Sequence, residues 1–167
     1  MSRWMELVNE MKRRPPASYL TPTQQRVFDE LRDGLRYPNR INLYGPCGSG
    51  KTYVGWVIAS AVGGVHVPLP ELVEKLEPGH DCVVIDNVPH YEADVRRTLA
   101  RADLIGASSV VLVSQAPVTV TMRRVELPLP TPEEVDQVLQ TYWRLGYYQQ
   151  HELPEQPNFW QILLACV

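Results

Sequence analysis

Apolar residues recur along this chain in two alternating rhythms, one with the period of a helix and one continuous over four or five positions, and the alternation predicts helices interleaved with buried strands. Trp4, Leu7, Val8 and Met11 fall at i, i+3, i+4 and i+7, are followed by Lys12, Arg13 and Arg14, and are closed by Pro15 and Pro16. Such a stripe suits a short helix packed on its own domain or a helix that docks on a partner. Thr21 to Leu35 predicts a second helix, with Pro22 in its first turn, Val27, Phe28, Leu31 and Leu35 on one face, and Gly34 weakening its end. Ile41 to Tyr44 is a short apolar run entering a glycine-rich loop, and Tyr53 to Val62 has helical length before Gly63 and Gly64. Val65 to Val67 predicts a short strand and Glu71 to Leu76 a short helix. Cys82 to Ile85 and Val110 to Val113 are apolar throughout, as strands covered on both faces are. Between them Glu92 to Leu104 carries Val95, Leu99 and Ala102 on one helical face. Val125 to Leu127 predicts a last edge strand closed by Pro128 and Pro130, and Glu133 to Leu145 a last helix.

Strands alternating with helices imply a mostly parallel sheet with right-handed crossovers, hence an α/β three-layer sandwich whose ligand sits at the carboxyl ends of the strands. The 167 residues suit one compact domain with short appendages. The expected division is an N-terminal helix or arm over 1–20, a core over 21–130 and a helical C-terminal extension over 131–167.

Charge and cysteine content narrow the class. The net charge of −3 lacks the basic excess of a dedicated nucleic-acid binder, so any basic surface is local. It belongs to the N-terminal end, where the first 40 residues hold 8 Lys or Arg against 5 Asp or Glu. Cys47, Cys82 and Cys166 are widely spaced with no CxxC pair, which argues against a disulfide framework or zinc site. No run reaches the roughly 18 to 20 apolar residues of a membrane span and no signal-peptide pattern opens the chain. A cytoplasmic protein that does not engage a membrane is expected.

The chemistry is concentrated between the first strand and the next helix, where Gly45-Pro46-Cys47-Gly48-Ser49-Gly50-Lys51-Thr52 reads as a full G-x-x-x-x-G-K-[ST] motif. Glycines let such a loop turn its backbone N–H groups inward around an anion, and the following helix directs its positive end at the same phosphates. Lys51 is the residue expected to reach the β- and γ-phosphates, with Thr52 completing a magnesium shell and Tyr53 ending the binding segment. The ligand this implies is ATP with magnesium. Cys82 to Ile85 then delivers Asp86 to the same edge of the sheet, a hard oxygen ligand suited to Mg2+.

Taken together, the P-loop, the Val84-Ile85-Asp86-Asn87-Val88 strand end and the strand Val110 to Gln115 resemble the core of AAA+ and related STAND ATPases over roughly residues 39–145. The segments Val125 to Leu129 and Thr131 to Glu134 are similar to the approach to the lid of STAND proteins. The resemblance implies an extra strand between the P-loop strand and the Asp86 strand. It further implies a sensor role for Ser114 or Gln115 at the γ-phosphate, and an arginine finger from Arg123 or Arg124 acting in a neighbouring subunit. Lys51, Asp86, Ser114, Arg123 and Arg124 are thus the expected catalytic set. The chain departs from the resemblance at Asn87, where many AAA+ enzymes carry a catalytic Glu, so slow or assembly-dependent hydrolysis is expected.

Three functions compete. An AAA+-like nucleotide-dependent switch or motor subunit would assemble with copies of itself or a larger protein partner and act on nucleic acid. A non-hydrolysing ATP-binding regulatory module fits Asn87. A small P-loop kinase fits the length, but the chain after Leu145 has no Lys or Arg for a lid over the acceptor. Leu20 to Gln25 also resembles the glutamine motif of superfamily 1 helicases, which would make Gln24 or Gln25 an adenine contact; residues that simply open a helix would look the same.

Overall fold

Five strands form one sheet in the order β2-β3-β4-β1-β5, and every neighbouring pair runs parallel. They are β1 (Arg40–Tyr44), β2 (Val65–Val67), β3 (Cys82–Ile85), β4 (Ser109–Ser114) and β5 (Arg123–Glu126). The computed structural model describes residues 3–144, so the extension after Arg144, including Leu145 and Cys166, lies outside the described residues. The helices are α1 (Arg3–Arg13), α2 (Pro22–Gly34), α3 (Lys51–Ala61), α4 (Glu92–Leu104) and α5 (Pro132–Arg144), with 3-10 turns at Ala17–Tyr19 and Pro70–Lys75.

The sandwich follows from the two-residue period of the central strands. On β3 and β4, Val84, Val111 and Val113 enter one apolar core with Val27, Phe28 and Leu31 of α2 and Val54 and Ile58 of α3. Their neighbours Val83, Ile85, Val110 and Leu112 enter a second core with Val95, Leu99 and Ala102 of α4. A strand buried on both faces has no polar position to spare, which is why both read as unbroken apolar runs.

β4 lies between β1 and β3, the insertion that the resemblance implied. The last strand begins two residues earlier than its apolar letters suggest. Arg123 and Arg124 pair with Ile41 and Asn42, and an edge strand can carry such side chains because their charged heads reach water. Only Val125 of β5 is buried.

Helix α2 opens with a capping box: Gln24 N–H donates to Thr21 Oγ1 at 3.4 Å, and Thr21 N–H to Gln24 Oε1 at 3.1 Å. Helix α5 is joined to this start by Glu134, which accepts from Thr23 N–H at 2.6 Å and from Thr131 N–H at 3.0 Å. The two helix openings therefore share one buried carboxylate.

Candidate nucleotide site

β1 ends at Tyr44, and the loop beyond it turns at Gly48 (φ 82°) and Gly50 (φ 90°), left-handed conformations open to glycine at little cost. Gly45 is required for a different reason: a β-carbon there would run into the carbonyl oxygen of Leu127, just past β5. The loop is thus pressed against the end of the neighbouring strand. Gly50 then serves as N-cap of α3, whose first residues are Lys51 and Thr52.

Lys51 is folded over the loop, its Nζ donating to the carbonyl oxygens of Gly45 and Pro46, each at 2.7 Å. Burial lowers the pKa of this ammonium from its ordinary value, while Cys47 and Asp86 oppose the shift. Asp86 stands where β3 stops and is 4% exposed. Burial, the largest single influence, pushes its carboxyl up, yet the His66 and Thr52 side chains and the Asn87 N–H together hold it below the usual carboxylate range. Thr52 and Asp86 are therefore neighbours at one edge of the sheet, and a hydroxyl beside a carboxylate kept ionised is a donor set that suits a hard divalent cation.

Asn87 is the one described non-glycine residue with positive φ, at 55°. Its N–H donates to Asp86 Oδ1 at 2.8 Å and its Nδ2 to Pro68 O at 3.0 Å. The left-handed turn changes the ladder: Asp86 N–H bonds toward β2, at Val67 O, whereas Val88 N–H bonds toward β4, at Val113 O. Two residues apart on a regular strand, both N–H groups would face the same neighbour. Asn tolerates this conformation better than Glu does, so the residue type at position 87 has a backbone reason as well as a catalytic consequence.

At the end of β4, Ser114 is fully engaged. Its hydroxyl accepts from Asn42 Nδ2 at 2.8 Å and donates to Ala116 O at 2.7 Å. Asn42 is itself buried in β1, where it also donates to Leu112 O at 3.0 Å and accepts from Val118 N–H at 2.9 Å. Gln115 next to it is exposed and lines the pocket.

These elements wall a pocket of about 410 Å³, within the usual range for a small-molecule site. Gly48, Gly50, Lys51 and Thr52 line it together with Asp86, Asn87, Ser114 and Gln115. Met11 of α1, Tyr19, Trp56 of α3 and Val138 of α5 add apolar surface to the lining, beside Gln137 and Thr141 of α5. The N-terminal segment is fastened there by Tyr53, whose hydroxyl donates to Pro16 O at 2.7 Å. Of the α1 stripe, Met11 is buried and Val8 partly so; the side chains of Trp4 and Leu7 lie outside the described ones.

Gln24 lines the pocket, but its Oε1 belongs to the capping box. Arg123 and Arg124 do not line it: Arg123 is 3.4 Å from Glu30 of α2 and Arg124 donates to Val118 O at 2.7 Å. Cys47 is exposed in the loop, whereas Cys82 is buried and its thiol is pushed up to about 11, chiefly by burial. Sequence reasoning missed His66 of β2, whose Nε2 lies 3.5 Å from Asp86 Oδ2.

No family model and no curated protein matches this sequence. Solved structures do match its fold. DnaA from Aquifex aeolicus in its AMPPCP-bound form aligns with TM-score 0.55 at 12% identity, over 86% of this chain and 60% of that one. A DNA replication initiation factor aligns with TM-score 0.54 at 12% identity, over 84% and 57%. The Thermotoga maritima RuvB Holliday junction branch migration motor aligns with TM-score 0.51 at 20% identity, over 75% and 50%. The chain thus spans between half and three-fifths of these proteins. The parallel sheet and the loop that opens α3 define an α/β fold of the P-loop nucleotide-binding type. Among the described residues, no helix is long and apolar enough to cross a membrane.

Proposed function

We propose that this chain binds ATP with magnesium and works as an AAA+-like, nucleotide-dependent switch or motor subunit. The observation that carries the reading is the meeting of Lys51, Thr52 and Asp86 in one pocket that Met11, Tyr19, Trp56 and Val138 also line. Phosphates belong at the loop, where α3 directs its N-terminal N–H groups and Lys51 exchanges carbonyl partners for phosphate oxygens. The nucleobase belongs against Met11, Tyr19, Trp56 and Val138. Gln24, with its Oε1 accepting from Thr21 N–H, has its Nε2 donors to offer the base. Thr52 and Asp86 are the residues that would hold magnesium, which supplies charge neutralisation at the phosphates when bound.

Gln115 is the better candidate for sensing the γ-phosphate, because the Ser114 hydroxyl is already committed on both its donor and acceptor sides. Arg123 and Arg124 do not line the pocket of their own chain, so a finger role for either would be exercised on a neighbouring copy. The fold shared with RuvB and DnaA supports partners of that kind, a second copy or a larger protein, and action on nucleic acid. A second reading, a regulatory module that binds ATP and hydrolyses it slowly, is favoured by the left-handed Asn87, since an amide cannot take a proton from water.

Calorimetry on Lys51→Ala tests the central claim. Losing charge-assisted bonds to phosphate should weaken ATP binding by about 2–4 kcal/mol, or roughly thirty- to a thousand-fold, with the far-ultraviolet dichroism unchanged. Wild-type affinity in this variant would end the P-loop assignment.

A further inference from the structure

His66 is the middle residue of β2, and its imidazole is packed in a slot between α3 and Asp86. The floor of the slot is Gly55: a β-carbon there would sit 3.5 Å from His66 Cδ2 and 3.3 Å from Val84 Cγ1. The distance to the ring is ordinary contact and only that to Val84 is tight, so the imidazole lies directly against the helix at this glycine. Trp56, the next residue, meets the imidazole edge to face, with centroids 6.1 Å apart and planes at 81°. Lys12 of α1 covers Trp56, its Nζ 5.6 Å from the ring centroid. The ring is thus held in place by packing.

What the ring holds toward Asp86 is Nε2. This nitrogen is buried and lies 3.5 Å from Asp86 Oδ2, with the two side chains only 13% and 6% exposed. At that distance the two groups feel each other's charge but form no hydrogen bond, and among the described residues His66 Nε2 is the one buried side-chain polar atom without a hydrogen-bond partner. Buried polar atoms are nearly always satisfied, and one left over beside a functional carboxylate needs an explanation. Asp86 is already gripped on the other side, where Oδ1 accepts from Asn87 N–H. One carboxylate oxygen has a fixed backbone donor; the other has an imidazole nitrogen within reach.

We infer that His66 is a positioning residue for Asp86, its Nε2–H fixing the Oδ2 side of the carboxylate so that the group is presented to a divalent cation in one orientation. The inference rests on the reading of Asp86 as the magnesium carboxylate. Outer-shell donors of this kind set the direction of a ligand they never replace, and their removal typically costs 10- to 100-fold in metal affinity. A histidine that merely filled core space would be replaced by another ring of similar size without any effect on the cation.

The experiment measures AMPPNP affinity of the full chain in saturating magnesium and in EDTA, for wild type, His66→Phe, His66→Gln and Asp86→Asn, with thermal unfolding as the control for folding. His66→Phe should lose about 10- to 100-fold of the magnesium-dependent gain and keep its affinity in EDTA, and His66→Gln, which retains an amide donor, should recover part of the gain. Wild-type magnesium gain in His66→Phe together with its loss in Asp86→Asn overturns the role of His66 and leaves the site reading intact. Wild-type gain in Asp86→Asn overturns the site reading itself. Should His66→Phe not fold, 15N-histidine spectra of the wild-type chain decide. A protonated His66 Nε2 whose resonance shifts when magnesium is added to the AMPPNP complex supports the role, and an unprotonated Nε2 overturns it.

Discussion

The side-chain amide of Asn42 donates to the hydroxyl of Ser114 over 2.8 Å, joining the strand that enters the P-loop to the strand that ends beside the pocket. A buried Asn in a parallel strand costs stability unless every polar atom is met, and here the Val118 N–H and the Leu112 carbonyl complete the set. Asn42→Leu would strand the Val118 N–H and should cost about 2–4 kcal/mol in urea unfolding. Ser114→Ala should cost about 1 kcal/mol, and the double variant less than the sum. ATP affinity should be unchanged in Ser114→Ala and lowered, relative to ADP, in Gln115→Ala. The reverse ranking would restore Ser114 as the sensor.

Position 87 separates a backbone requirement from a catalytic one. Asn87→Gly keeps the left-handed turn and loses the bond to Pro68 O, so its melting temperature should stay close to that of the wild type. Asn87→Glu meets a left-handed penalty of about 1–2 kcal/mol and loses the same bond, so it should melt several degrees lower. Its turnover per folded molecule should nevertheless rise, because a carboxylate can orient the attacking water. An Asn87→Glu chain as stable as the wild type would contradict the geometry described for this turn.

Glu134 gives the pH dependence. Burial, its largest single influence, raises its pKa, but the N–H groups of Thr131 and Thr23 and the hydroxyls of Thr23 and Thr21 outweigh it and hold the carboxyl below its ordinary 4.5. A carboxyl depressed in the folded state binds its proton more tightly when unfolded. Its contribution is therefore complete above about 4.5 and disappears as pH falls through the folded value. Asp86 is shifted in the same direction. Thermal melts of the wild type should be level above pH 5 and fall below it. Glu134→Gln should lower the level region by about 1–3 kcal/mol and reduce the acid slope. An unchanged slope would remove Glu134 from the account.

Much of this could be read from letters, and the misses have a common physical cause. The P-loop announces itself because phosphate binding by backbone needs glycines at fixed spacing, and β3 and β4 because strands covered twice must be apolar throughout. Asn42 and His66 carry no such signal, since a polar residue in a strand takes its meaning from partners far away in sequence. Ser114 can be nominated from its place at a strand end, while the bonds of its hydroxyl to Asn42 and Ala116 carry no sequence signal. The start of β5 is hidden in the sequence because arginines on an edge strand resemble a loop. Asn87 is half legible: an Asn after the strand-ending Asp permits a left-handed turn, and the backbone shows that the turn is made.

Tyr53 holding Pro16 has a consequence for how the molecule comes together. Met11 and Val138 face the same pocket, although nearly the whole described chain separates them. Closing that long a loop carries an entropic cost that grows only slowly with length. A truncated chain limited to residues 21–130 would keep the phosphate loop and Trp56 but lose Met11, Tyr19 and Val138 from the pocket lining. A nucleotide that binds this pocket would therefore favour molecules whose first and last described helices are both seated, and would stabilise them in proportion to the logarithm of free ligand.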